Sequence, residues 1–159
     1  MAKRQVFYSF HYDNDVMRVQ MVRNIGALEQ NEPVSSNDWE TVKKGGDNAI
    51  KNWIDANMQN RSCVVVLVGS ETSSRKWVKY EIQKAWNDGK GVLGVYIHNL
   101  NCPRNGKGTK GANPFDSFTV KETLMSSIVK CYNPDSNDAY NDIKNNLESW
   151  IEEAIESRK

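Results

Sequence analysis

The sequence predicts an α/β fold with a mainly parallel central sheet, and three observations carry that expectation. Short β-branched runs recur along the chain, separated by stretches of helical periodicity. The strongest run, Cys63-Val64-Val65-Val66-Leu67-Val68, is apolar without alternation, as suits a strand buried on both faces of a parallel sheet. No repeat and no internal linker interrupts the pattern, so a single domain is expected over residues 1–159.

Taken in order, Val6 to Phe10 reads as the first strand from its β-branched and aromatic content. Asp13-Asn14-Asp15 then offers N-cap residues for a helix marked by Val16, Val19, Met21, Val22, Ile25 and Leu28, which Asn31-Glu32-Pro33 stops. Residues 33–46 are polar, with Val34 and Trp39 as their apolar anchors, and read as a loop. Asp47 is a cap candidate for a second helix, with Ile50, Trp53, Ile54 and Met58 on one face. Ser62 to Val68 is the next strand, and the turn-rich Gly69 to Ser74 follows it. A helix from about Lys76 to Asp88 carries Trp77, Tyr80, Glu81, Ala85 and Trp86, and Gly89 ends it. Val92 to Ile97 reads as a third buried strand, residues 98–119 as a long loop, and Ser127 to Tyr132 as a fourth strand. A last helix from about Ser136 to Glu156 sets Tyr140, Ile143, Leu147, Trp150, Ile151 and Ala154 on one face.

Composition excludes several classes. With 21 basic and 20 acidic residues the formal net charge is +1, without the basic excess that a general nucleic-acid or membrane-surface binder needs. The mean hydropathy of −0.70 and the lack of a long apolar run argue against a membrane span. The start, Met1-Ala2-Lys3-Arg4-Gln5-Val6, has a basic tip without an apolar segment behind it, so no signal peptide and a cytoplasmic location are expected. Cys63, Cys102 and Cys131 form no CxxC pair, and His11 and His98 are far apart. Neither a disulfide framework nor a metal site is expected.

In an open parallel sheet, ligands bind beyond the carboxyl ends of the strands. Three segments map there: Phe10 to Asp15, Gly69 to Arg75, and the long loop from His98 to Thr119. Within that loop Gly106 to Gly111 fits G-x-G-x-x-G, but Cys102-Pro103 before it and Asn113-Pro114 after it deny the strand and helix that a dinucleotide fingerprint requires. No phosphate loop of the G-x-x-x-x-G-K-[ST] type and no G-x-S-x-G elbow occurs. The acidic residue that stands out is Glu81, four residues after Trp77 and amid Val78, Ile82 and Ala85. A carboxylate beside an aromatic face suits a sugar ring, where it can bind hydroxyls and stabilise the positive charge formed as a glycosidic bond breaks. The commoner role of a helix glutamate is pairing with a neighbour such as Arg75, Lys79 or Lys84 on a solvated face, and the residues alone leave both open. Phe10 could line a pocket with His11 or belong to the core, and Asn113-Pro114-Phe115-Asp116 could anchor the long loop or present Asn113 to a ligand.

Residues Lys3 to Tyr12 (KRQVFYSFHY) resemble the first strand of TIR and TIR-like domains. Gly69-Ser70-Glu71-Thr72 followed by Arg75 to Ile82 (RKWVKYEI) looks like their central stretch, where a Trp precedes the catalytic Glu by four residues. Lys110 to Asp116 (KGANPFD) is similar to a loop in the TIR-like proteins of bacterial Thoeris anti-phage defence. The match runs in order over residues 3–118. The resemblance implies a flavodoxin-like (TIR-type) three-layer fold and an enzyme of the NAD glycohydrolase/ADP-ribosyl cyclase type. Such an enzyme cleaves the nicotinamide–ribose bond and makes a cyclic or otherwise modified ADP-ribose signal that activates a separate effector protein. NAD is then a substrate, with no cofactor and no metal. Glu81 is the implied catalytic carboxylate, Phe10 and His11 line the nicotinamide side, and Trp77 and Asn113 support the site. A phage-derived trigger and a homo-oligomer, whose neighbouring subunit completes the site, are further partners the resemblance implies. The longer C-terminal region of some Thoeris proteins has no counterpart after the last predicted helix, which leaves product and trigger open. TIR-like domains also serve as non-catalytic interaction modules; in that alternative Trp39 or Trp53 would be exposed anchors and no NAD would be turned over. A third reading is a nucleoside deoxyribosyltransferase-like enzyme, which also employs a Glu on a related scaffold.

Overall fold

The computed structural model describes residues 6–10, 18, 21–22, 44–59, 61–101 and 107–158. Strand β1 (Val6–Ser9) pairs in parallel with β2 (Cys63–Val68), and β2 with β3 (Gly91–Tyr96). Strands β4 (Thr119–Val120) and β5 (Thr123–Leu124) form a small antiparallel hairpin, and β6 (Cys131–Tyr132) pairs in parallel with β3 at the sheet edge. The main sheet therefore has the order β1-β2-β3-β6. Its helices are α1 (Gly46–Met58), α2 (Lys76–Asn87) and α3 (Ala139–Glu156), while Arg18, Met21 and Val22 are also helical.

Every residue of β2 is buried, as its unbroken apolar run predicts. Cys63, Val65 and Leu67 point to one face of the sheet with Val6, Leu93 and Val95, where Ile143, Leu147 and Ile151 of α3 cover them together with Val22. Val64, Val66 and Val68 point to the other face with Phe7, Val92 and Tyr96, under Ile50, Ile54 and Met58 of α1 and Val78, Ile82 and Ala85 of α2. Each fully buried valine or leucine contributes about 1.5–3 kcal/mol, so β2 is the thermodynamic centre of the molecule. The result is a three-layer α/β fold of flavodoxin-like type with a parallel central sheet.

The helix ends follow local chemistry. Gly89 takes φ +77° after α2, and the Lys90 amide reaches back to the carbonyl of Ala85 at 3.0 Å, closing the helix as the glycine predicts. Asp138 caps α3 by accepting from the amide of Asn141, so the helix begins at Ala139 rather than near Ser136. Asp47 lies inside the first turn of α1, after the Gly45 cap position, and pairs with Lys76 of α2 at 2.6 Å.

Two expectations need correction. The predicted strand Ser127 to Tyr132 is reduced to Cys131–Tyr132, because Met125–Ser127 forms a 3₁₀ turn in which the Ser127 hydroxyl donates to the carbonyl of Leu124 at 2.7 Å. Local side-chain bonding of this kind competes with the sheet ladder. The long loop is also more ordered than expected: Pro114–Ser117 form a 3₁₀ helix, and the β4–β5 hairpin follows it. That hairpin turns through Lys121 (φ 48°) and Glu122 (φ 69°). Such turns favour Asn-Gly, and without those residues the sequence carried no hairpin signal. The predicted first helix over residues 16–28 and the loop at 33–46 lie largely outside the described residues.

Candidate active site

Helix α2 buries Val78, Glu81, Ile82 and Ala85, a stripe at helical spacing that includes one carboxyl group. Glu81 is 7% exposed. The pairing with Arg75, Lys79 or Lys84 on a solvated face is therefore not its role. Arg75 instead pairs with Glu71, and Lys84 with Asp88 and Asp55. Facing Glu81 is Ser9, fully buried at the carboxyl end of β1, whose hydroxyl donates to Glu81 Oε1 at 2.8 Å.

The two groups are 72 residues apart in sequence, and the sheet brings them together. Ser9 pairs in register with Val66 of β2, and the chain leaves β2 two residues later to return as α2 across the same face. Side chains alternate along β1, so Phe7 and Ser9 face α1 and α2 while Val6, Tyr8 and Phe10 face the other layer. The register of α2 is held from its outer side. The Tyr80 hydroxyl donates to Asp55 of α1 at 2.8 Å, and the Lys51 ammonium stands 5.9 Å above the Tyr80 ring.

Burial pushes the Glu81 carboxyl up to about 8, from an ordinary value of 4.5. The Ser9 hydroxyl opposes this by favouring the ionised form. A carboxyl group poised near neutrality at a sheet's carboxyl edge is a feature of functional sites, because it can hold or release a proton at working pH. Removing the hydroxyl should raise the carboxyl further. Ser9→Ala is therefore expected to move any alkaline rise in a Glu81-dependent activity to higher pH and to cut that activity about tenfold at pH 7. A pH–rate profile of the folded variant checks both; an unmoved profile would show that Ser9 does not govern the carboxyl.

The other predicted residues are placed as follows. Trp77, one turn before Glu81, is half-buried; its ring meets Tyr80 edge-on at 5.8 Å and carries the Lys76 ammonium 4.8 Å from its centre. Phe10 packs against the core cluster on the α3 side, the opposite face from Glu81. Asn113 is half-buried on the loop, and its Oδ1 accepts from the Phe115 amide at 2.9 Å, capping the 3₁₀ helix that plugs Phe115 into the core. His11 lies outside the described residues, as do Trp39 and Cys102. Trp53, the other anchor of the interaction-module reading, is partly buried against the core instead of standing exposed. Ser9 was missed by sequence reasoning, although a lone hydroxyl at the end of an apolar strand was a readable signal.

The loop of residues 107–113 roofs this edge of the sheet. At Gly111 a Cβ would stand 2.1 Å from the carbonyl oxygen of Gly69, so the loop backbone lies directly on the turn that leads into α2. That turn is fixed by Thr72, fully buried, whose Oγ1 accepts from the Gly69 amide at 2.8 Å. Among the described residues, no cluster of three or more His, Cys, Asp or Glu could hold a metal ion, and no helix is long and apolar enough to cross a membrane.

Comparison with known proteins adds the family. The TIR-like domain of the Thoeris protein ThsB matches residues 7–102, which contain all of β1 but Val6, together with β2, α2, β3, Ser9 and Glu81. The chain belongs to this ThsB TIR-like family. A curated relative from Bacillus cereus (strain MSX-D12), provisionally named a cyclic ADP-D-ribose synthase, ThsB1, is 39% identical over 121 residues. The alignment covers 73% of this chain but 62% of that ThsB protein, so the chain spans less than two thirds of its relative's length. The TIR-like and Thoeris resemblance read from the first-strand and Trp77–Glu81 segments is thus upheld, while Lys110–Asp116 lies beyond the residues the family model matches.

Proposed function

We propose that this ThsB-family chain consumes NAD, breaking the bond between nicotinamide and ribose and releasing a nucleotide derived from ADP-ribose. The observation that carries this reading is the buried Glu81 carboxyl held by Ser9 beyond the end of β1. The provisional name of the Bacillus cereus relative supports it.

The C1′–N bond breaks with its electron pair going to nicotinamide, which leaves as a neutral base, and the ribose becomes positively charged. Ionised Glu81 stabilises that charge from inside a low-dielectric site, where a fixed carboxylate acts far more strongly than in water. Water then attacks C1′ to give ADP-ribose, or a nucleophilic atom of the same ADP-ribose attacks to give a cyclic product; either route releases one proton, for which Glu81 is an acceptor. Because the carboxyl lies near 8 in the free protein, kcat/KM for NAD should rise with pH through about 8.

His11, Trp77 and Asn113 are proposed as the supporting residues of this site, whereas Phe10 packs on the opposite face of the sheet; NAD is the substrate, with neither cofactor nor metal required. The product would act on a separate effector protein, production would answer a phage-derived trigger, and a neighbouring subunit would complete the site. The test is purified protein with NAD, followed for nicotinamide release and product mass, with and without lysate of phage-infected cells. Nicotinamide with a product of cyclic ADP-ribose mass supports the full reading. Base exchange on deoxynucleosides with NAD intact would replace it by the deoxyribosyltransferase reading, and no turnover under any condition by the interaction module.

A further inference from the structure

Beyond the carboxyl end of β3, cationic groups gather from three separate segments. Arg18 is buried, its Nε donating to the carbonyl of Leu100 at 3.1 Å, which fixes the guanidinium at this edge. The loop backbone crosses it closely, since a Cβ on Gly108 would lie 3.3 Å from Arg18 Nη2. The Gly108 amide in turn donates to the carbonyl of His98 at 2.7 Å. Lys110, two residues further along, stands 4.9 Å over the ring of Tyr96, and that ring meets His98 edge-on at 6.0 Å.

One feature distinguishes this cluster from an ordinary basic surface. The Nδ1 atom of His98 is buried and has no hydrogen-bond partner among the described residues, a costly state for a polar atom. Lys110 has no ion-pair partner among the described residues, which leaves its ammonium available at this edge. Burial, with the charges of Lys110 and Arg18, holds His98 below its ordinary value, in keeping with cationic groups close around it.

We propose that Arg18, His98 and Lys110 form an anion subsite that takes the diphosphate of a nucleotide. Resting on the reading of Glu81 as the reacting carboxyl, that nucleotide is the dinucleotide substrate or its ADP-ribose product. The placement fits. Tyr96 lies two residues beyond the level of Ser9 and two strands across the sheet, a separation on the order of 10 Å. A nucleotide reaching from the Glu81 carboxyl toward this cluster spans that range. The loop that carries Lys110 is the one seated through Gly111 on the turn before α2, so both ends of the ligand would meet one rigid roof.

The test measures binding, not turnover, with ADP-ribose and nicotinamide riboside as probes against the Glu81→Gln protein. Lys110→Ala in that background is expected to weaken ADP-ribose binding about tenfold, as losing one charge-assisted contact does, and to leave the phosphate-free riboside unaffected. Lys110 is exposed, so the variant should fold, and His98→Gln provides an independent second lesion with the same expected direction. Equal ADP-ribose binding with and without Lys110 and His98, or no ADP-ribose binding at all, overturns the subsite. Lys110-dependent binding of ADP-ribose by a protein that never cleaves NAD would retain the subsite while removing the catalytic reading.

Discussion

Glu81→Gln should reduce nicotinamide release from NAD by about 10²–10³-fold while leaving the fold intact, the loss expected when one preorganised charge-stabilising group is removed. The substitution is nearly isosteric, and the carboxamide oxygen can still accept the Ser9 hydroxyl bond of 2.8 Å. What disappears is the negative charge alone. The same variant carries a stability signature. Folded Glu81 titrates near 8 against an ordinary 4.5, so between those values the folded chain keeps a proton that the unfolded chain has lost. Its stabilising effect is full below the lower value and is lost as pH rises through the upper one. The parent protein should therefore lose thermal stability from pH 5 to pH 9 by more than Glu81→Gln does. Thermal melts at both pH values, beside a nicotinamide assay, check the pair of outcomes. Full activity in the variant would remove Glu81 from the chemistry.

Gly111→Ala should be the most damaging single methyl addition on the loop. The new Cβ would meet the Gly69 carbonyl oxygen at 2.1 Å, and both partners are backbone, so the loop must lift from the turn before α2. Strain and lost packing of this kind cost about 2–3 kcal/mol, which for a domain of this size lowers Tm by roughly 5–10 °C. Activity should fall further than stability requires, because the lifted loop carries Asn113 and Lys110 away from the sheet edge. Gly108→Ala is the control: its Cβ would meet the tip of the Arg18 side chain at 3.3 Å, a contact that can give by a few tenths of an ångström. Equal melting of the two variants would show that the Gly111 contact does not hold the roof in place.

Local pattern was enough to determine much of the molecule. An unbroken apolar run named β2 as a strand buried on both faces, and Gly89 named the end of α2. The stripe of Ile143, Leu147 and Ile151 named the buried face of α3. Glu81 was also legible, as a carboxyl group on a helix face otherwise made of Val78, Ile82 and Ala85, and the TIR resemblance gave that anomaly a chemical meaning. These signals are short-range, set by propensity and by the 3.6- and 2-residue periods.

Tertiary structure alone decided what Glu81 touches. Whether it was solvated or buried depended on how α2 rolls over β1 and β2, and its partner Ser9 comes from 72 residues away through a parallel register that no local pattern encodes. Phe10 went to the opposite face by simple alternation from Ser9, a consequence visible only once the strand's facing was known. The gathering of Arg18, His98 and Lys110, and the seating of Gly111 on Gly69, likewise required segments distant in sequence to meet at one edge. Sequence periodicity specifies which face of an element is buried; the sheet order and crossovers specify against whom, and the chemistry of this site resides in that second relation.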